Sequence, residues 1–228
     1  MNDKPSICNQ LQLPENPARW IEDLQKPTWD AYFLSIVFLA AMRSPDQETK
    51  QGCVIVDWNT KVVLGTGYNG HPRGTVAYAE RELLAPAYFA TPLGIAGAKA
   101  SGLTVKEAPT KRPGKYPFMV HADLNAALNC RGTSDHAVCY LPMPPCEVCL
   151  GTLANLPTIR INRIVYLESR DFPNTIAVAR HLPHIKFEKY QGQHPAEVLM
   201  NAATYALLRS TKGKELSANS TTTYVGGK

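Results

Sequence analysis

Three residues with soft donor atoms, His121, Cys146 and Cys149, constrain this chain more than any other feature. They stand in His121-Ala122-Asp123 and, 25 positions later, in Pro145-Cys146-Glu147-Val148-Cys149. A neutral imidazole and two thiolates suit a tetrahedral zinc ion. Three protein ligands leave a fourth position open, and an open zinc site binds and acidifies water. To share one ion, two distant segments must converge. Both read as helix starts: residues 121–129 and 146–154 have helical propensity, with the ligands at their N-terminal ends, where the helix dipole favours thiolate. Between them Ala137 to Leu141 reads as a strand that stops at Pro142-Met143-Pro144-Pro145. A lone C-x-x-C would be a weak signal. The proline before Cys146, the upstream His-Ala-acid tripeptide and the two helix starts make the combination specific. No further His or Cys stands at a convincing spacing: His136, His181 and His184 read as turn or surface histidines.

The rest of the chain fits alternating strands and helices. Residues 1–26 are polar and proline-dotted and read as a partly ordered arm. A helix is expected from Trp29, capped by Thr28 or Asp30, with Tyr32, Phe33, Ile36, Val37, Leu39 and Ala40 giving a broad apolar face. It ends near Met42-Arg43-Ser44, because Pro45 disfavours helical geometry before it. Gly52 to Val56 and Val62 to Tyr68 read as a hairpin across Asp57-Trp58-Asn59-Thr60-Lys61. Asn69 to Gly74 is a turn-rich loop. Residues 75–114 read as an insertion, with Ala77 to Tyr88 a candidate helix. Arg163 to Leu167 and Ile185 to Tyr190 are expected strands, Asn174 to His181 and Pro195 to Arg209 helices, and residues 211–228 a disordered tail. An opening hairpin followed by alternating strand and helix implies a layered α/β domain with a mixed sheet.

With 228 residues, 44% hydrophobic, the chain can bury a core without disulfides. Two of its six cysteines are taken as metal ligands and Cys8, Cys53, Cys130 and Cys139 as free thiols. The net charge of +5 favours anionic ligands such as nucleotide phosphates, without forming a basic stripe that would indicate nucleic acid. Residues 1–10 carry no apolar leader, and the longest apolar stretch, Tyr32 to Met42, is too short to span a bilayer. A cytoplasmic location without membrane partners is expected.

Zinc-dependent nucleobase deaminases combine H-x-E with P-C-x-x-C, the Glu acting as proton shuttle and not as ligand. Over residues 27 to 190, apart from the insertion, this chain resembles the deoxycytidylate (dCMP) deaminases of the cytidine deaminase superfamily. The resemblance lies in Pro27 to Phe33, Phe38 to Asp46, Gly52 to Val56, Gly67-Tyr68-Asn69-Gly70-His71-Pro72-Arg73-Gly74 and Tyr116 to Ala126. It implies an α/β/α sandwich with a mixed sheet of about five strands, one catalytic domain over residues 27–210, and Zn2+ on His121, Cys146 and Cys149. It further implies Asp123 as proton shuttle, Asn69 on the deoxyribose or phosphate side of the nucleotide, and Arg43 and Ser44 at the 5′-phosphate. The implied reaction is dCMP plus water to dUMP plus ammonia. The resemblance extends to dCTP or dTTP as effectors, Mg2+ accompanying such a triphosphate, and a homo-oligomer, hexameric in many relatives.

Three departures qualify that picture. Asp123 replaces Glu, keeping the acid–base chemistry with one methylene less reach. Pro142 and Pro144 stiffen the strand end before the cysteine pair. Arg170 falls where some relatives have a substrate-contacting Tyr and is a candidate for gripping phosphate. The first departure opens an alternative, a nucleotide-binding deaminase homologue with weak or no turnover. A further alternative is a deaminase of another base, a purine nucleotide or a base in RNA, for which Lys106, Lys111, Arg112 and Lys115 are the candidate strand contacts.

Overall fold

The computed structural model describes residues 14–46, 48–72, 99, 102, 119–169 and 173–209. The expectations for Ala77 to Tyr88, for Lys106, Lys111, Arg112 and Lys115, for Arg170 and for the 211–228 tail lie outside those residues, as does nearly all of the 75–114 insertion. The chain divides into two compact units, one formed by residues 1–35 with 191–228, the other by residues 36–190.

The first unit holds α1 (Pro17–Asp23), the beginning of α2 (Trp29–Ala41) and α6 (Pro195–Arg209). Helix α1 is an ordered stretch within the segment read as an arm: Asn16 accepts the Arg19 N–H through its side chain and Pro17 occupies the first turn, a capped start that suits the fixed φ of proline. Within α2, Trp29 stacks on Phe33 at 5.6 Å between ring centroids, and Phe33 is fully buried. Ser35 Oγ donates back to Ala31 O at 2.7 Å and to Pro195 O at 3.4 Å.

The second unit is built on one mixed sheet of five strands in the order β2-β1-β3-β4-β5. These are β1 (Gly52–Asp57), β2 (Val63–Tyr68), β3 (Ser134–Leu141), β4 (Ile159–Tyr166) and β5 (Lys186–Lys189). Strand β1 runs antiparallel to β2 and β3, whereas β3–β4 and β4–β5 are parallel, each crossing over through a helix: α4 (Glu147–Ala154) and α5 (Pro173–Arg180). Helix α3 (Ala122–Asn129) leads into β3. The α/β architecture expected from the sequence is the one found.

Side-chain alternation along the strands builds the core. Cys53, Ile55, Cys139, Leu141 and Ile164 cluster with Ala122 and Ala126 of α3 and Leu150 and Leu153 of α4. The alternate residues, Val54, Val56, Val138, Tyr140 and Val165, are buried too. Burial of both faces is why these strands read as near-continuous apolar runs. At the start of β1 a Cβ on Gly52 would lie 1.9 Å from Val37 O, so α2 meets the sheet there backbone to backbone. The hairpin turn is set by Asp57, whose Oδ1 accepts from Thr60 N and Oγ1, and by Lys61 in the left-handed region at φ 62°.

Candidate active site

Both ligand segments are helix caps used in an unusual way. His121 (φ −69°, ψ 155°) caps α3 and Cys146 (φ −70°, ψ 167°) caps α4. A cap normally spends its side chain on the first amide groups of the helix. Neither of these does so. Their extended backbones leave imidazole and thiol free to face one another, while Asn125 N–H closes onto His121 O at 3.0 Å and Leu150 N–H onto Cys146 O at 2.8 Å. Cys149 follows in the first turn of α4. The sequence reading placed both caps inside the helices, one residue too far.

Cys146 Sγ and Cys149 Sγ each lie 3.5 Å from His121 Nδ1, and the three donor atoms fall within 4.8 Å of one another. Tetrahedral zinc with bonds of about 2.0–2.3 Å sets neighbouring nitrogen and sulfur ligands about 3.5 Å apart. The trio fits zinc in donor type and in spacing. Cys149 donates its thiol proton toward Cys146 and Asp123, and this together with burial pushes the Cys149 thiol up. Cys146, stabilised as thiolate by that donor and by His121, is held down at about 4. The His121 imidazole is drawn up by its bond to Cys146. Because zinc takes thiolate and neutral imidazole, binding it here releases the protons these groups hold, so metal affinity rises with pH.

Asp123 is the buried acid of this site, only 5% exposed. Burial raises its pKa, opposed by the Cys149 thiol and the His121 charge. Its Oδ1 accepts Leu124 N–H at 3.0 Å. His121, Asp123 and Cys146 share a cavity of about 450 Å3 with Asp46, Asn69, Gln51, Met119 and the Leu141–Glu147 segment, a size typical of a small-molecule site. The proline-rich rim is anchored from behind: Pro142 O accepts Leu167 N–H at 3.2 Å and Glu168 N–H at 2.8 Å, and Thr175 Oγ1 donates to Pro145 O at 2.9 Å.

Asn69 lines the cavity with most of its amide already committed. Its Nδ2 donates to Asp46 Oδ2 at 3.2 Å and Thr49 O at 2.9 Å, and its Oδ1 accepts Gln51 N–H at 2.8 Å. Ser44 is buried, its Oγ donating to Asn69 O at 2.8 Å and accepting Asp46 N–H. Arg43 is exposed and does not line the cavity. The structure thus brings His121, Asp123, Cys146, Cys149 and Asn69 together, with Ser44 behind Asn69 and Arg43 outside. Sequence reasoning passed over Asp46. Its Oδ1 takes Glu48 N–H and Thr49 N–H, an Asx turn that a Pro-Asp pair between helix and strand could have signalled.

Residues 27–168 match the model of the cytidine and deoxycytidylate deaminase zinc-binding region. The chain belongs to this deaminase family. Its relatives include the deoxycytidylate deaminase of Mus musculus, 32% identical over 53% of this chain and 56% of that one, so the match spans little more than half of the mouse enzyme. The deoxycytidylate deaminase of Mycobacterium phage D29 is 32% identical over 63% of this chain and 97% of its own length. Among solved structures, the dCMP deaminase from cyanophage S-TIM5 in complex with dCMP and dUMP is 18% identical with a TM-score of 0.48, over 73% of this chain and all of that one. Membership in a zinc-binding deaminase family agrees with the donor set at His121, Cys146 and Cys149. No helix among the described residues is long and apolar enough to cross a membrane.

Proposed function

We propose that this chain hydrolyses the exocyclic C–N bond of a cytosine deoxynucleotide, converting dCMP and water to dUMP and ammonia. The observation that carries the reading is one cluster: two sulfurs 3.5 Å from one imidazole nitrogen, with a buried carboxyl beside them at the wall of a 450 Å3 cavity. Zinc bound by His121, Cys146 and Cys149 supplies Lewis acidity that makes water nucleophilic near neutral pH. Asp123 is not a ligand. Burial strengthens its carboxylate as a base, so it can take one proton of the attacking water and pass it to N3 of the base, then take the second from the hydroxyl now on C4 and deliver it to the exocyclic amino group, which leaves as ammonia as the C4 carbonyl forms.

Asn69 has one unused valence, the second lone pair of Oδ1, because both its N–H groups are taken. It can therefore accept from a hydroxyl and has nothing to offer a phosphate oxygen. This favours the deoxyribose side over the phosphate side, with Ser44 positioning Asn69 from behind. Arg43 and Arg170 stay the candidate cations for the 5′-phosphate, Arg43 being exposed and not part of the lining. Regulation by dCTP or dTTP with Mg2+, and assembly into a homo-oligomer, belong to the same proposal.

One observation favours the weaker-turnover alternative. The Asp123 carboxylate is held on Leu124 N–H of its own helix and against Cys149, so part of its hydrogen-bonding capacity is spent on groups other than a substrate. The test is ammonia release from dCMP by zinc-loaded protein beside Asp123→Glu, with dCTP present and absent. Turnover by the native chain supports the deaminase. Turnover only by the Glu variant identifies a disabled site, and silence from both refutes the substrate.

A further inference from the structure

Among the described residues strand β2 pairs with β1 alone, and its other side is a sheet edge. Unpaired edge carbonyls are ordinarily left to water or to another chain. Here they are taken by α3 and the residues after it. Asn125 Nδ2 donates to Tyr68 O at 2.8 Å, Asn129 Nδ2 to Thr66 O at 3.0 Å, and Arg131 N–H to Leu64 O at 3.0 Å. The two asparagines are one helical repeat apart and their acceptors two strand residues apart. Four helix residues rise about 6 Å, and two strand residues span about 6.6 Å, so helix and strand run in step. Just beyond, Gly70 and Val120 exchange both backbone hydrogen bonds, at 3.0 and 2.7 Å. The end of β2 leads into Asn69, and Val120 leads into His121.

We infer that Asn125 is a positioning residue for the metal and proton-transfer groups. Its N–H closes the first turn of α3 onto His121 O, and its amide fixes that same turn to the end of β2. Asp123 lies inside that turn. A short carboxylate has one rotatable bond fewer than Glu with which to recover from a misplaced backbone, so the seating of the turn decides whether it reaches. Asn129, two turns from the ligand, makes an equivalent bond that holds the far end of the helix. The kinetic part of this inference rests on the proposed deamination; the metal part does not.

The test compares Asn125→Ala, Asn129→Ala and Asn125→Gln in the full chain, with Asn125→Ser in reserve should the alanine variant not fold. Each alanine variant loses the side-chain hydrogen bond to a β2 carbonyl, and melting temperature is expected to fall in both. Zinc affinity, read by competition with a chromophoric chelator, is expected to fall about 10-fold in Asn125→Ala, as when the outer support of a metal ligand is removed, and to stay near native in Asn129→Ala. With dCMP, Asn125→Ala is expected to lower kcat about 10- to 100-fold with KM little changed, and the Gln variant, which keeps the amide, to recover most of it. Equal effects of the two alanine variants on zinc and kcat would overturn the inference and reduce both bonds to helix anchoring. If no protein deaminates dCMP, the split in zinc affinity still decides: present, it upholds the positioning role while the deaminase reading fails; absent, it refutes both.

Discussion

The closest approach of α3 to the sheet offers the sharpest mutational test. A Cβ added to Gly67 would lie 2.2 Å from Ala122 O, 2.2 Å from Ala126 N and 2.8 Å from Ala126 Cα. All three are backbone atoms of the helix, so no side chain can swing aside. Restoring ordinary contact, about 3.4 Å, moves the helix away by roughly 1 Å. Overpacking of this kind costs about 1–3 kcal/mol. A shift of about 1 Å in a catalytic carboxylate lowers a rate on the order of 100-fold, equivalent to about 2.7 kcal/mol of barrier. Gly67→Ala is therefore expected to lose about 1–3 kcal/mol by urea denaturation and about two decades of dCMP turnover at saturating substrate. The control is Gly151→Ala: a Cβ there meets nothing within 4 Å, and alanine in a helix is worth about 0.5–1 kcal/mol over glycine. If Gly67→Ala matched Gly151→Ala in stability and kept native turnover, the tight seating of α3 on β2 would be wrong.

Asp123→Ala should keep its zinc by elemental analysis and lose about 100- to 10,000-fold in deamination, whereas zinc loss in that variant would make the carboxylate a ligand. Cys146→Ser and Cys149→Ser should each lose the metal together with melting temperature, because metal affinity at such sites is folding energy; retention of both would contradict the assignment. Leu150→Ala, beside Cys149 and fully buried, should cost about 2–5 kcal/mol by denaturation. Asp57 is held down at about 2, chiefly by the Ser134 hydroxyl and then by Thr60. A depressed carboxylate stabilises above its unfolded pKa, about 3.9, and loses that contribution as pH falls through its folded value. Ser134→Ala should therefore be less stable than the native chain above about pH 4, with the gap closing toward pH 2; a gap that persisted or widened in acid would refute the role given to Ser134.

The grouping of His121 with Cys146 and Cys149, and the last helix, were legible because their signals are local. Spacing and a preceding proline mark Cys146 and Cys149, and Pro195–Arg209 carries a proline start and a helical stripe. Strand β4 was legible only in its second half. The reading began at Arg163, but the strand begins at Ile159, where Ile159-Arg160-Ile161-Asn162 alternates apolar with polar and shows no apolar run. Strand β3 likewise starts at Ser134, three residues before the apolar stretch that announced it. The support of the site was not legible at all. Asn125 finds its partner 57 positions away and Asp46 binds Asn69 across 23. An asparagine on a helix reads the same whether it faces water or a strand edge, and only the fold tells the two apart.

The anchored rim has a consequence for selectivity. Three of the four residues from Pro142 to Pro145 have their φ fixed by the pyrrolidine ring, and the carbonyls at both ends are spoken for by Leu167, Glu168 and Thr175. Such a wall has little conformational freedom to surrender when a ligand arrives, so it can discriminate by shape without an entropic penalty of its own. It is also slow to yield. Only Met143 has an unbranched, flexible side chain, and any tolerance of a bulkier base along this wall is concentrated in that one thioether.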